Sequence, residues 1–135
     1  MTEEDYKNKI IQFLTLLMTD MDKAAPMMAD GFVWENYLPD HVPFGGRFEG
    51  VEGMVTFMRL LAENWEIGGL DISEVIVSDD GMRFAAVGVE RAGKALSTGK
   101  VCDMAFVWIF KTNEDGQFTY VREYNDTNAI GQTFL

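Results

Sequence analysis

The chain has 135 residues, 47% hydrophobic and 13% aromatic, so one domain of this length buries roughly two thirds of the surface its unfolded form exposes. A net charge of −11 repels nucleic-acid phosphates and anionic membranes, and neither is expected as a partner. One cysteine and one histidine exclude an internal disulfide and the usual metal-ligand sets, no cofactor is expected, and the acidic start MTEEDYKNK carries no export signal, which fits a cytoplasmic setting.

Thr2, followed by Glu3, Glu4 and Asp5, supplies a cap and a negative first turn for a helix. Along it Tyr6, Ile10, Phe13, Leu14, Leu17 and Met21 form one apolar stripe. Asp20 or Asp22 caps a second, short helix from Met21 to Met28 that contains Pro26 and stops before Asp30-Gly31. Phe32 to Leu38 reads as a strand with Phe32, Trp34 and Asn36 on one face and Val33, Glu35 and Tyr37 on the other. Pro39 to Gly46 is a loop carrying His41 and Phe44. After Gly50 a third helix follows, with Val51, Met54, Val55, Met58, Leu61, Ala62 and Trp65 on one face, ending near Asn64.

Four strands complete the chain: 69–78, 82–91, 101–110 and 117–126, separated by turn residues. The run Val101 to Phe110 is apolar on both faces, so helices cannot cover it alone, and a homodimer is expected. Helices first and an antiparallel meander after them mean a single α+β domain over residues 1–135, with three helices on a curved, mostly antiparallel sheet. Three helices leave the concavity of such a sheet partly empty, as a cone-shaped internal pocket lined by aromatic and Met side chains, Phe44 and Phe57 among them.

Polar residues converge on the open end of that pocket. Asp103 interrupts an apolar strand, where a carboxylate must be paired or raised in pKa; the alternative is pairing with Arg91 or Arg122 in solvent. His41 has the pKa range of a proton shuttle, and Tyr37 and Tyr124 can donate to an oxyanion. Trp34 and Asn36 are expected to frame the site together with His41, Asp103 and a carboxylate from Glu123 or Asp126, whose parity puts one of the last two on each face of the strand.

The segments PFGGRFEGVEGMVTFM, STGKVCDMAFVWIF and DGQFTYVREYNDTNAI resemble the superfamily that includes nuclear transport factor 2, ketosteroid isomerase, limonene epoxide hydrolase and the SnoaL-type polyketide cyclases. The resemblance implies a cone-shaped pocket for a small, largely apolar polyketide-, steroid- or terpenoid-like molecule, with acid/base chemistry of cyclase or isomerase type. The alternatives are a non-enzymatic binding or interaction module and, less so, epoxide hydrolysis. Trp34 and Asn36 stand where limonene epoxide hydrolases have a Tyr-x-Asn pair, and VREYND, with Glu123, is similar to their WRDYFD. Their Arg-x-Asp element is broken here to Arg91-Ala92-Gly93. Asp126 is the closest match to the acid/base carboxylate of the cyclases.

Overall fold

Thr2 and Asp5 start the first helix by exchanging hydrogen bonds, the Thr2 N–H donating to Asp5 Oδ2 at 2.7 Å and the Asp5 N–H to Thr2 Oγ1 at 3.2 Å. In the computed structural model, which describes residues 1–135, the helix α1 (Glu3–Thr19) that follows buries Tyr6, Ile10, Phe13 and Leu17. That spacing of four, three and four places all four on one face, and each fully buried Phe, Ile or Leu contributes roughly 1.5–3 kcal/mol. Asp20 caps the short α2 (Met21–Ala24), and Pro26 tightens the next turn into a 3-10 helix, Ala25–Met27.

Strand β1 (Met28–Asn36) begins earlier than the sequence suggests. Asp30-Gly31 does not end a helix; with Gly31 at φ 77° it forms an irregularity inside the strand, and the chain resumes its pairing at Val33. A short β2 (Gly46–Glu49), a strand the sequence reading lacks, returns antiparallel along β1. Helix α3 (Gly50–Asn64) buries Met54 and Phe57, while Val51 and Val55 are exposed, so its inner face is rotated toward Phe57. Trp65 then leaves the helix for β3 (Trp65–Glu66).

The remaining strands are β4 (Gly69–Val77), β5 (Arg83–Ala95), β6 (Val101–Thr112) and β7 (Phe118–Asn125), followed by α4 (Thr127–Thr133), a helix the sequence reading lacks. The sheet runs β2-β1-β7-β6-β5-β3, with β4 also on β5, and every pair is antiparallel except β1–β7. The first and last long strands are thus parallel neighbours. Helices α1 and α3 lie in the concavity of this curved α+β sheet, and the enclosed core includes Phe13, Phe32, Phe110 and Phe118. No helix is long and apolar enough to cross a membrane.

Two bulges aim side chains inward. In β7 the register slips between Phe118 and Tyr120, so the buried set is Phe118, Val121 and Glu123. In β5 it slips between Glu90 and Gly93, and Ala92 takes a positive φ of 56°. The Ala92 N–H freed there donates to Asp103 Oδ1 at 2.9 Å.

Candidate functional site

A cavity of about 270 Å³ opens inside the cone, lined by 20 residues of which 14 are hydrophobic. Its apolar wall comes from α1 (Ile11, Leu14), α3 (Phe57, Met58, Leu61), Phe44, Trp65, Met104, Trp108 and Ile130. Against it stand Asn36, Glu90, Glu123 and Asn125, all carried by strands, where packing on both sides holds a side chain in one direction.

The three tryptophans of the chain each turn their indole N–H onto an acceptor in this wall. Trp34 Nε1 donates to Glu123 Oε2, Trp65 Nε1 to Glu90 Oε2 and Trp108 Nε1 to Asn125 Oδ1, each at 2.8 Å. The Gly68 N–H also donates to Glu90 Oε2, at 3.2 Å, and the Asn125 amide donates to Asn36 Oδ1 at 3.2 Å. Gly93 is what lets Trp65 and Glu90 meet: a Cβ there would run into both the indole and the carboxylate.

Glu123 is buried, and loss of hydration raises its pKa from 4.5 to about 7. Hydrogen bonds from Trp34 and Asn125 pull it back, and the Glu90 charge pushes it further up. A carboxyl group at that value holds and releases a proton with similar ease near neutrality, the condition a general acid or base requires.

Of the residues singled out from sequence, Trp34, Asn36, Phe44, Phe57 and Glu123 line the cavity. Asp126, Asp103, His41, Tyr37 and Tyr124 lie outside it, each for a local reason. Asp126 caps α4, accepting the Ala129 N–H at 3.0 Å, and is exposed. Asp103 is spent on the Ala92 bulge and lies 3.9 Å from Arg91, on the outer face. His41 sits beside the Gly131 carbonyl, 2.8 Å from Nε2, and so fastens the loop to α4. Tyr37 and Tyr124 follow Asn36 and Glu123 by one residue and therefore point to the opposite face, where the Arg122 guanidinium lies between their rings at 4.5 and 4.4 Å.

Glu90, Trp65, Trp108 and Asn125 are the residues the sequence reading omitted. Glu90 was detectable, because it continues the inward alternation of Phe84, Ala86 and Gly88. Trp108 reads from the sequence as one of an alternating apolar set on a strand whose inward face is left open. Asn125 becomes inward only through the β7 bulge, which no local pattern announces.

The profile of the SnoaL-like domain matches residues 12–121. The chain belongs to the SnoaL-like family. Among curated proteins the sequence finds no match. Several solved structures share the fold of this SnoaL-like protein. An NTF2-like protein from Burkholderia xenovorans LB400 is 19% identical, with a TM-score of 0.79 over 100% of this chain and 99% of that one. TerC, co-crystallised with polyporic acid, is 20% identical with a TM-score of 0.67, covering 92% of this chain and 96% of its own. A computationally designed 17-OHP binder is 18% identical with a TM-score of 0.65, covering 87% and 90%. At these identities the likeness is one of fold.

Proposed function

We propose that this SnoaL-like protein binds a small, largely apolar molecule of polyketide, steroid or terpenoid type in the cone, and that Glu123 exchanges a proton with it in cyclase- or isomerase-type chemistry. The observation that carries this reading is Glu123 itself: a carboxyl group buried in an apolar wall, held by the Trp34 indole, with its pKa brought to about 7. The apolar lining orients the ligand by shape, and few polar contacts fix its direction. Ionised Glu123 would take a proton from a carbon next to a carbonyl and return it at another position; Trp34 keeps its donor on the same oxygen throughout. That two structures of this fold are a 17-OHP binder and a complex with polyporic acid is in keeping with small-molecule binding here.

A second reading, binding without turnover, is favoured by one observation. All three indole N–H groups already have acceptors within the protein, so none is free to stabilise an enolate oxygen. Epoxide hydrolysis is not favoured, since Arg91 lies on the surface between Asp71 and Asp103. The readings separate when a panel of cyclic ketones is incubated with the protein in D₂O and followed by NMR. Deuterium uptake next to the carbonyl that disappears in Glu123→Gln supports proton transfer. Chemical-shift changes in the protein with no deuterium uptake by any bound ketone assign it to binding alone.

A further inference from the structure

We infer that the cone selects a ligand carrying a protonated amine on an apolar frame, with the ammonium seated on Glu123. This deepens the reading of the cavity as a binding site and does not depend on turnover.

The argument is a count of donors and acceptors in the wall. The donors are already engaged: Trp34 by Glu123, Trp65 and the Gly68 N–H by Glu90, Trp108 by Asn125, and the Asn125 amide by Asn36. Thr15 and the Asn36 amide are the only lining side chains left with a donor and no protein acceptor. Acceptors are in excess, because each carboxylate has two oxygens and more lone pairs than the protein fills. A carbonyl or carboxylate ligand brings still more acceptors. An ammonium brings three donors and no acceptor, which is what such a wall lacks.

Charge leads to the same class. The cavity is lined by two glutamates and by no Lys, Arg or His, so the elements facing Glu123 offer it no counter-ion, and Glu90 is the only other titratable group in the wall. Trp34, Trp65 and Trp108 all line the cavity, and indole rings attract cations. The net charge of −11 favours the approach of a cation and opposes that of an anion.

Glu123 is the seat rather than Glu90 because Glu90 Oε2 is fixed by both the Trp65 indole and the Gly68 backbone N–H, whereas Glu123 is held only by side chains, the Trp34 indole and the Asn125 amide, which can yield to a ligand. Across β6, Glu123 stands opposite Trp108 and Glu90 opposite Met104, so their backbones are offset by four residues or roughly 13 Å along the strand, and Glu90 adds its charge to the field at Glu123.

The test uses three probes of one shape: 1-aminoadamantane, 1-adamantanol and adamantane-1-carboxylate, titrated calorimetrically into the full chain at pH 6 and pH 8. The expected result is an amine at least about tenfold tighter than the alcohol at pH 8, and a carboxylate weaker than both. Amine affinity should rise from pH 6 to pH 8 as Glu123 ionises, with proton release at pH 6 seen as a buffer-dependent heat, while the alcohol shows no such rise. Glu123→Gln should abolish the amine's advantage over the alcohol, and Glu90→Gln should reduce that advantage less. An alcohol bound as tightly as the amine by the unaltered protein overturns the ammonium inference and leaves the cavity reading standing. Binding of none of the three overturns both.

Discussion

The indole N–H of Trp34 donates to Glu123 Oε2 at 2.8 Å across the parallel pair of β1 and β7, linking residues 89 apart in sequence. This bond joins a carboxyl group that has lost its water to one of the few donors inside the cone, and its energetics set the first prediction. The pKa of Glu123 is raised on folding, so between about 4.5 and 7 the folded chain holds a proton that the unfolded chain has released. Stability from this group therefore falls as pH rises through that window, by about 3 kcal/mol in all. Glu123→Gln keeps an acceptor for Trp34 and has no charge to bury. Its denaturant midpoint should exceed that of the parent at pH 8 and match it within error at pH 4.5; equal differences at both pH values would contradict the assignment.

Gly93 gives a second prediction. Gly93→Ala sets a methyl group against the Trp65 indole and Glu90 and should cost about 1–3 kcal/mol in urea unfolding. Trp65 fluorescence should shift as its bond to Glu90 opens.

The β5 bulge offers paired substitutions. Ala92 has φ 56°, a conformation that glycine adopts without strain, so Ala92→Gly should gain up to about 1 kcal/mol. Asp103→Ala removes the acceptor for the Ala92 N–H and should lose about 1 kcal/mol while leaving the affinity of a cavity ligand unchanged. A large loss of ligand affinity in Asp103→Ala would return that residue to the site.

Asp126→Ala should lose about 1 kcal/mol through the cap of α4. Hydrogen exchange should accelerate in residues 127–133 and nowhere in β7, a pattern that separates a cap from a catalytic group.

Association is the last prediction. On the outer face Val101, Val107, Tyr37 and Tyr124 are exposed, and we propose that a second copy covers them in a homodimer. Sedimentation at micromolar concentration should give the dimer mass for the parent chain and the monomer mass for Val107→Asp.

How much of this was legible in the sequence depended on the range of the determining contact. Met104, Phe106, Trp108 and Phe110 alternate without interruption, so their shared face follows from the strand repeat alone, but which face looks inward does not, since Ala105, Val107 and Ile109 make the other face apolar too. Glu123 was legible as one of two candidates, but its orientation is fixed by a bulge at Thr119 to Tyr120 set by pairing with Lys111 and Thr112. Glu90 follows the strand repeat too, but nothing in the sequence pairs it with Trp65, whose indole reaches it only in the folded sheet. Asp126 was read as the end of a strand because Thr127–Thr133 has little helical patterning; the cap bond, not the propensity of the segment, starts that helix. The parallel β1–β7 pair leaves no local signal, since nothing near Trp34 in sequence specifies a partner near Val121.

That parallel pair also dictates an order of events as the chain leaves the ribosome. Strand β1 is made long before its central neighbour, residues 118–125, which lies far downstream in the sequence. Until then β1 has only the four residues of β2 to pair with, and β6 waits as an unpaired edge with apolar side chains on both faces. The nascent protein thus has no closed cavity until β7 arrives, which closes the sheet and delivers Glu123 to Trp34 in one movement. A chain cut before residue 118 would lose the acid and the seam together, and would be expected in the insoluble fraction rather than as a folded protein without its site.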